Sequence, residues 1–257
     1  KKFGYRLYSA RYGNVYTVRQ LLQLLREAAG ELEIADKVWE REGKFFDALR
    51  PSVEPEGLPT ANDVIEHRKQ HLKAVRSVFD QADLVVFTLG LTEAWMNVED
   101  GTTYPTAPGT IAGDYDPARY APINFTHSEV MADFEAVRER IKAQRPDVKF
   151  LITVSPVPLT ATASGDHVEV ATCYSKATLR SVCGELVKKY ADVDYFPSFE
   201  IITSLKTRGA YYEPNLRSVS SQGVATAMST FLKAHGYGPD VENTTANQSA
   251  KKAPVIT

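Results

Sequence analysis

The sequence is short of most features that announce a function. Only two of its 257 residues are cysteine, so a small scaffold stapled by disulfides is excluded. Cys173 and Cys183 stand ten residues apart in a segment with helical spacing, about 15 Å along an axis, which is too far for a bond within one helix. They read as reduced, half-buried thiols on roughly one face, a state that suits a cytoplasmic setting. No apolar run approaches the ~20 residues that cross a bilayer. The opening Lys1-Lys2 has no apolar stretch behind it to make a secretory signal. The chain also opens without Met, so its natural N-terminus is expected upstream. Charge excess is missing too: 30 Lys and Arg against 32 Asp and Glu leave a formal net charge of −2. Without a basic excess, neither nucleic acid nor an anionic membrane is an expected partner.

What is present is an ordinary globular composition, 43% hydrophobic and 24% charged. Val18, Leu21, Leu22, Leu25 and Ala28 recur at helical spacing within Val15 to Ala29, and Gly30 is a stop signal. Glu31 to Pro59 breaks the pattern and ends in a loop rich in Pro, Glu and Gly. Thr60 or Asn62 caps a second helix that carries Ile65, Leu72, Val75 and Phe79. Leu84 to Gly90 is a continuous apolar run ended by Gly, which fits a strand of a parallel sheet covered on both faces. Trp95 to Asn124 is a long connection rich in Gly, Pro, Tyr and Asp, of the kind that packs over a site.

Ser128 to Gln144 reads as a helix, Val148 to Ser155 as a second strand, and Val170 to Tyr190 as a helix. Val193 to Phe196 is a third strand and Ser220 to Ala234 a last helix. The alternation predicts an α/β domain over residues 1–236, followed by a mobile polar tail over 237–257. Function in such sheets gathers at the carboxyl ends of strands, here Gly90 to Trp95, Ser155 to Asp166 and Pro197 to Glu200.

Several segments resemble the GSCFA family. They are Arg11-Tyr12-Gly13-Asn14-Val15-Tyr16, Phe87 to Trp95, Tyr104-Pro105, Ala107 to Thr110, Thr153 to Leu159, Tyr174-Ser175-Lys176 and Tyr195 to Glu200. The likeness runs from about residue 9 to residue 233. The family is related to SGNH esterases, so the resemblance implies a three-layer α/β/α, flavodoxin-like fold, here without its N-terminal strand. It also implies a serine nucleophile, backbone oxyanion donors, a late Asp-x-x-His, and a small-molecule or carbohydrate ester as substrate, with no cofactor or metal. The Gly-Ser-Cys-Phe-Ala segment that names the family is absent and is expected upstream. The Asp-x-x-His position falls on Asn215-Leu216-Arg217-Ser218. Asn holds no charge beside an imidazolium and Ser is no general base near neutral pH, so no standard triad assembles from these residues.

The resemblance makes Gly13, Asn14 and Gly90 oxyanion candidates, although Gly13 and Asn14 also suit a plain turn. Thr92 and Glu93 are candidates for substrate contact, against a plain strand terminator with Glu93 at a helix start. His167 follows a strand-end loop and could replace the missing base, although an ordinary surface histidine explains it as well. Lys176 and Arg180 stand one turn apart and could hold an anion, or lie idle on an exposed face. Arg217 sits where the catalytic loop belongs and is the better anion contact. His67 and His71 have metal-pair spacing but no third ligand, and read as a solvated helix face. His127 is expected near a helix cap and His235 at a helix end. Ser155 lacks a nucleophile elbow. Three activities remain open: an ester hydrolase, a non-catalytic carbohydrate- or polymer-binding module, and an acyltransferase.

Overall fold

The computed structural model describes residues 10–237. The polar tail expected after residue 237 lies outside the described residues. Helix starts follow their capping chemistry. The first helix, α1, spans Val18–Ala28. It begins three residues later than the apolar spacing alone predicts, because Thr17 and Gln20 cap each other's backbone amides. The same reciprocal pairing, Thr60 with Asp63 and Thr126 with Glu129, opens α2 (Ala61–Gln81) and α3 (His127–Gln144).

Two short antiparallel units replace the loops that the sequence suggests. A hairpin joins β1 (Val38–Arg41) to β2 (Lys44–Asp47) through Glu42 and Gly43, both at positive φ as a primed two-residue turn demands. The connection after Trp95 contains β5 (Thr103–Tyr104) and β6 (Tyr120–Asn124), which flank β4 (Glu93–Asn97). Ile34, Trp39, Phe46, Tyr104 and Tyr120 form a core of their own between these two units. Ion pairs tie the hairpin to the helices. Arg68 of α2 is 3% exposed and binds both Glu27 of α1 and Asp47 of β2, while Arg50 also binds Asp47. Burial alone would raise the Asp47 carboxyl, but Arg68 and Arg50 outweigh it and leave it below its usual value.

The main sheet is parallel, in the order β3 (Leu84–Leu89), β7 (Lys149–Val154) and β8 (Val193–Tyr195). With its covering helices it makes the chain an α/β protein. One face packs on α1, α3 and α4 (Val168–Lys189), burying Leu89, Phe150, Ile152 and Val154 against Phe134, Leu179 and Leu186. On the other face, Ser198 of α5 (Ser198–Thr203) hydrogen-bonds Thr153 and the Val154 carbonyl. The last helix, α6 (Ser221–Ala234), stacks on α5 through Phe196 and Phe231. Among the described residues, no helix is long and apolar enough to cross a membrane.

Four expectations need correction. β3 is an edge strand among the described ones and is not covered on both faces: Leu84 (46% exposed), Val86 (57%) and Thr88 alternate onto one face and all stand exposed. Cys173 is exposed and Cys183 buried, since ten residues turn a helix to about 80° off a common face. His71 is buried rather than solvated, with Nδ1 2.7 Å from the Ala10 carbonyl. Lys176 likewise leaves the expected exposed face and is only 5% exposed.

Candidate functional site

A cleft of about 570 Å³ opens where β3 and β7 end. Gly90 and Leu91 line it from the end of β3, and Ser155 with residues 157–163 from the end of β7. Trp95 and Pro122 line it from the antiparallel sheet, Tyr16 from the segment ahead of α1, and Arg217 from the segment ahead of α6. The excursion after Trp95 contributes Pro105, Thr106, Ala107, Thr110 and Pro122 to this lining. Most of the lining is apolar, with Leu91, Trp95, Pro105, Val157 and Leu159 beside a few hydroxyls. One of these, Thr106 Oγ1, is buried and has no hydrogen-bond partner among the described residues.

The turn from β3 into β4 is fixed on every side. The Gly90 and Leu91 amides both donate to the Tyr16 carbonyl, at 2.9 and 3.3 Å. A Cβ at Gly90 would lie 2.9 Å from that same oxygen, so the close approach requires glycine. Lys176 Nζ donates to the Gly90 carbonyl at 2.5 Å. The Thr92 amide donates to Ser175 Oγ at 2.9 Å, and Thr92 Oγ1 to Asn124 Oδ1 at 2.6 Å. Thr92 is fully buried, so it builds the turn and presents nothing to solvent. Glu93 lines the cleft as the first residue of β4 rather than of a helix, and its carboxylate accepts from Thr162 Oγ1 at 2.8 and 3.0 Å. Ser155 Oγ accepts from the Val157 amide at 3.2 Å.

The segment at the family's Asp-x-x-His position closes on itself. Asn215 Oδ1 accepts from the amides of Arg217 and Ser218, both at 2.9 Å, and Asn215 Nδ2 donates to Ser218 Oγ at 3.0 Å. Tyr212 OH anchors this segment by donating to the Pro156 carbonyl at 2.7 Å. Of residues 215–218, only Arg217 lines the cleft. Asn215 and Ser218 spend their polar atoms on the turn, in the pattern of an Asx-turn.

The other candidates are placed apart. Gly13, at φ +70°, packs against the side chains of Arg50 and Val53, and Asn14 Nδ2 reaches Ser52 Oγ at 3.5 Å. Neither lines the cleft, so Gly90 and Gly13 occupy different surroundings. His167 is exposed and caps α4, its Nδ1 accepting from the Glu169 amide at 3.3 Å. His127 is the first residue of α3 and His235 ends α6, as their sequence context predicts. Arg180 pairs with Glu200 and lies over the Tyr195 ring. Among the described residues, no three His, Cys, Asp or Glu side chains are placed to hold a metal.

Sequence reasoning named the strand ends that border the cleft but missed Tyr16, whose carbonyl takes two amides of the Gly90 turn. Its only signal was its place just after the Gly-Asn pair. No curated protein and no solved structure matches the chain. The family comparison matches residues 1–231, nearly all of the described chain, and the chain belongs to the GSCFA family.

Proposed function

We propose that the cleft at the ends of β3 and β7 binds an acyl ester, and that the chain is the larger part of an SGNH-like, flavodoxin-type ester hydrolase. The observation that carries this reading is the character of the cleft. Its apolar lining suits an acyl chain, while Arg217, Ser155 and Thr160 add a few polar groups to the lining. Among the described residues no strand pairs with the outer edge of β3, which suits the rest of the proposal. A strand added there in parallel would end beside Gly90, delivering a serine from an upstream segment to the cleft. The alcohol part of the ester is a carbohydrate or another small molecule.

The test uses a longer protein that includes the upstream Gly-Ser-Cys-Phe-Ala segment. It should hydrolyse p-nitrophenyl butyrate and lose that activity when the serine becomes alanine. Hydrolysis unaffected by that change would sink the serine mechanism.

A specific observation favours a second reading, a non-catalytic binding module. Asn215 and Ser218 are consumed by their own turn, and neither can act as a base. In that case the longer protein binds butyrate esters in the same cleft and returns them intact.

A further inference from the structure

Lys176 is 5% exposed and lies on α4 behind the Gly90 turn. Its Nζ donates to the Gly90 carbonyl, and Gly90 in turn lines the cleft. An ammonium carries three N–H donors and is among the groups least often buried without a counter-charge. Among the described residues, no carboxylate stands within ion-pair distance of it. The charged groups on the neighbouring elements are occupied elsewhere: Arg180, one turn along α4, binds Glu200 of α5, and Glu93 of β4 accepts from Thr162. A helix that needed only to cover the sheet would place an aliphatic residue here. The buried cation therefore has a use in the turn.

We propose that Lys176 is the positioning residue of the cleft: by holding the Gly90 carbonyl it fixes the turn that lines the cleft and sets a buried positive charge behind it, so that the cleft favours a ligand carrying a carboxylate or a developing oxyanion. This rests on the ester reading above, since a carboxylate is what ester cleavage leaves on the acyl chain. Burial brings the Lys176 ammonium down from 10.5 to about 8, so the charge can be switched off without mutation. The other ionisable groups lining the cleft are Glu93, Arg217 and Tyr16. Burial raises the Tyr16 hydroxyl above its ordinary value, so it stays neutral up to pH 9.5.

The test is calorimetric titration of the full chain with octanoate and with neutral octanamide, at pH 6.5 and 9.5. The wild type should bind octanoate about tenfold more weakly at pH 9.5, the scale of one partly screened charge contact, and octanamide equally at both. Lys176→Arg should hold octanoate equally at both values of pH, and Lys176→Met should bind it at the weaker level throughout. Octanoate affinity that ignores pH in the wild type, or an equal loss of both ligands in Lys176→Met, overturns the charge role. If the wild type binds neither ligand, the acyl reading of the cleft fails, and Lys176 is judged by amide exchange instead. Protection of the Gly90 and Leu91 amides should then fall in Lys176→Met and return in Lys176→Arg; equal protection in all three proteins overturns the proposal.

Discussion

At the scale of single residues, two buried bases set how the fold responds to pH. Lys176 titrates at about 8 in the folded chain against 10.5 when exposed. Between those values the unfolded chain binds the extra proton, so stability rises with pH across that window. Below pH 8 both states are protonated and the buried charge is a standing cost, up to about 3 kcal/mol at 1.36 kcal/mol per unit. Lys176→Met should therefore melt higher than the wild type at pH 7, and the gap should close by pH 10.5. Urea denaturation of both proteins at the two values checks it; a Met variant less stable at pH 7 contradicts it. His71 works on the acid side. Burial, with the nearby Arg50 guanidinium, brings it from 6.5 to about 4, so the folded chain keeps it neutral. Its neutral ring donates from Nδ1 to the Ala10 carbonyl. Stability should fall as pH drops from 6.5 to 4, by up to about 3 kcal/mol, because only the unfolded chain takes the proton there. His71→Gln should flatten that part of the pH–stability curve, measured by urea midpoints at pH 6.5 and 4.5.

At the scale of elements, what was legible depended in part on whether the signal was local. Of the capping residues only Thr60 is expected from the sequence; Thr17 with Gln20 and Thr126 with Glu129, just as local, set starts that apolar spacing alone puts at Val15 and Ser128. Leu84–Leu89 and Lys149–Val154 are apolar runs that need no partner to be recognised as strands. The hairpin and the antiparallel sheet were opaque. Their strands hold two to five residues, include Glu, Asn and Pro, and are packed through contacts far apart in sequence, Trp39 on Tyr104 and Tyr104 on Tyr120. Burial was the least legible property. An alternating or continuous apolar pattern shows which residues can be covered, and β3 shows that nothing in the pattern says whether they are. That edge yields a test of its own. A longer protein whose upstream strand seats on β3 should protect from hydrogen exchange the β3 amides that do not bond β7. Equal exchange of those amides in the longer protein and the present chain would show that no segment seats there.

At the scale of the whole molecule, the fold gathers distant segments around one cleft. Strand ends, a glycine turn fixed on three sides, and an apolar cleft all meet at one edge of the sheet. The site candidates drawn from family resemblance divided along the same line. Gly90, Glu93 and Arg217 line the cleft, and Lys176 stands behind it. Gly13 and Asn14 serve a turn elsewhere, and His167 caps a helix. Gly90 and Glu93 reach the cleft from just past the end of β3, where the topology of an α/β sheet gathers groups, while Arg217 comes from the segment ahead of α6.

The most direct test of the account is whether filling the cleft stops the chemistry. Ala161 is exposed and lines the cleft, so a larger side chain there fills space without disturbing the core. In the longer protein, Ala161→Trp should abolish p-nitrophenyl butyrate hydrolysis and leave the melting temperature unchanged. Hydrolysis that persists at the wild-type rate in a folded Ala161→Trp protein would place the reaction elsewhere and contradict the account.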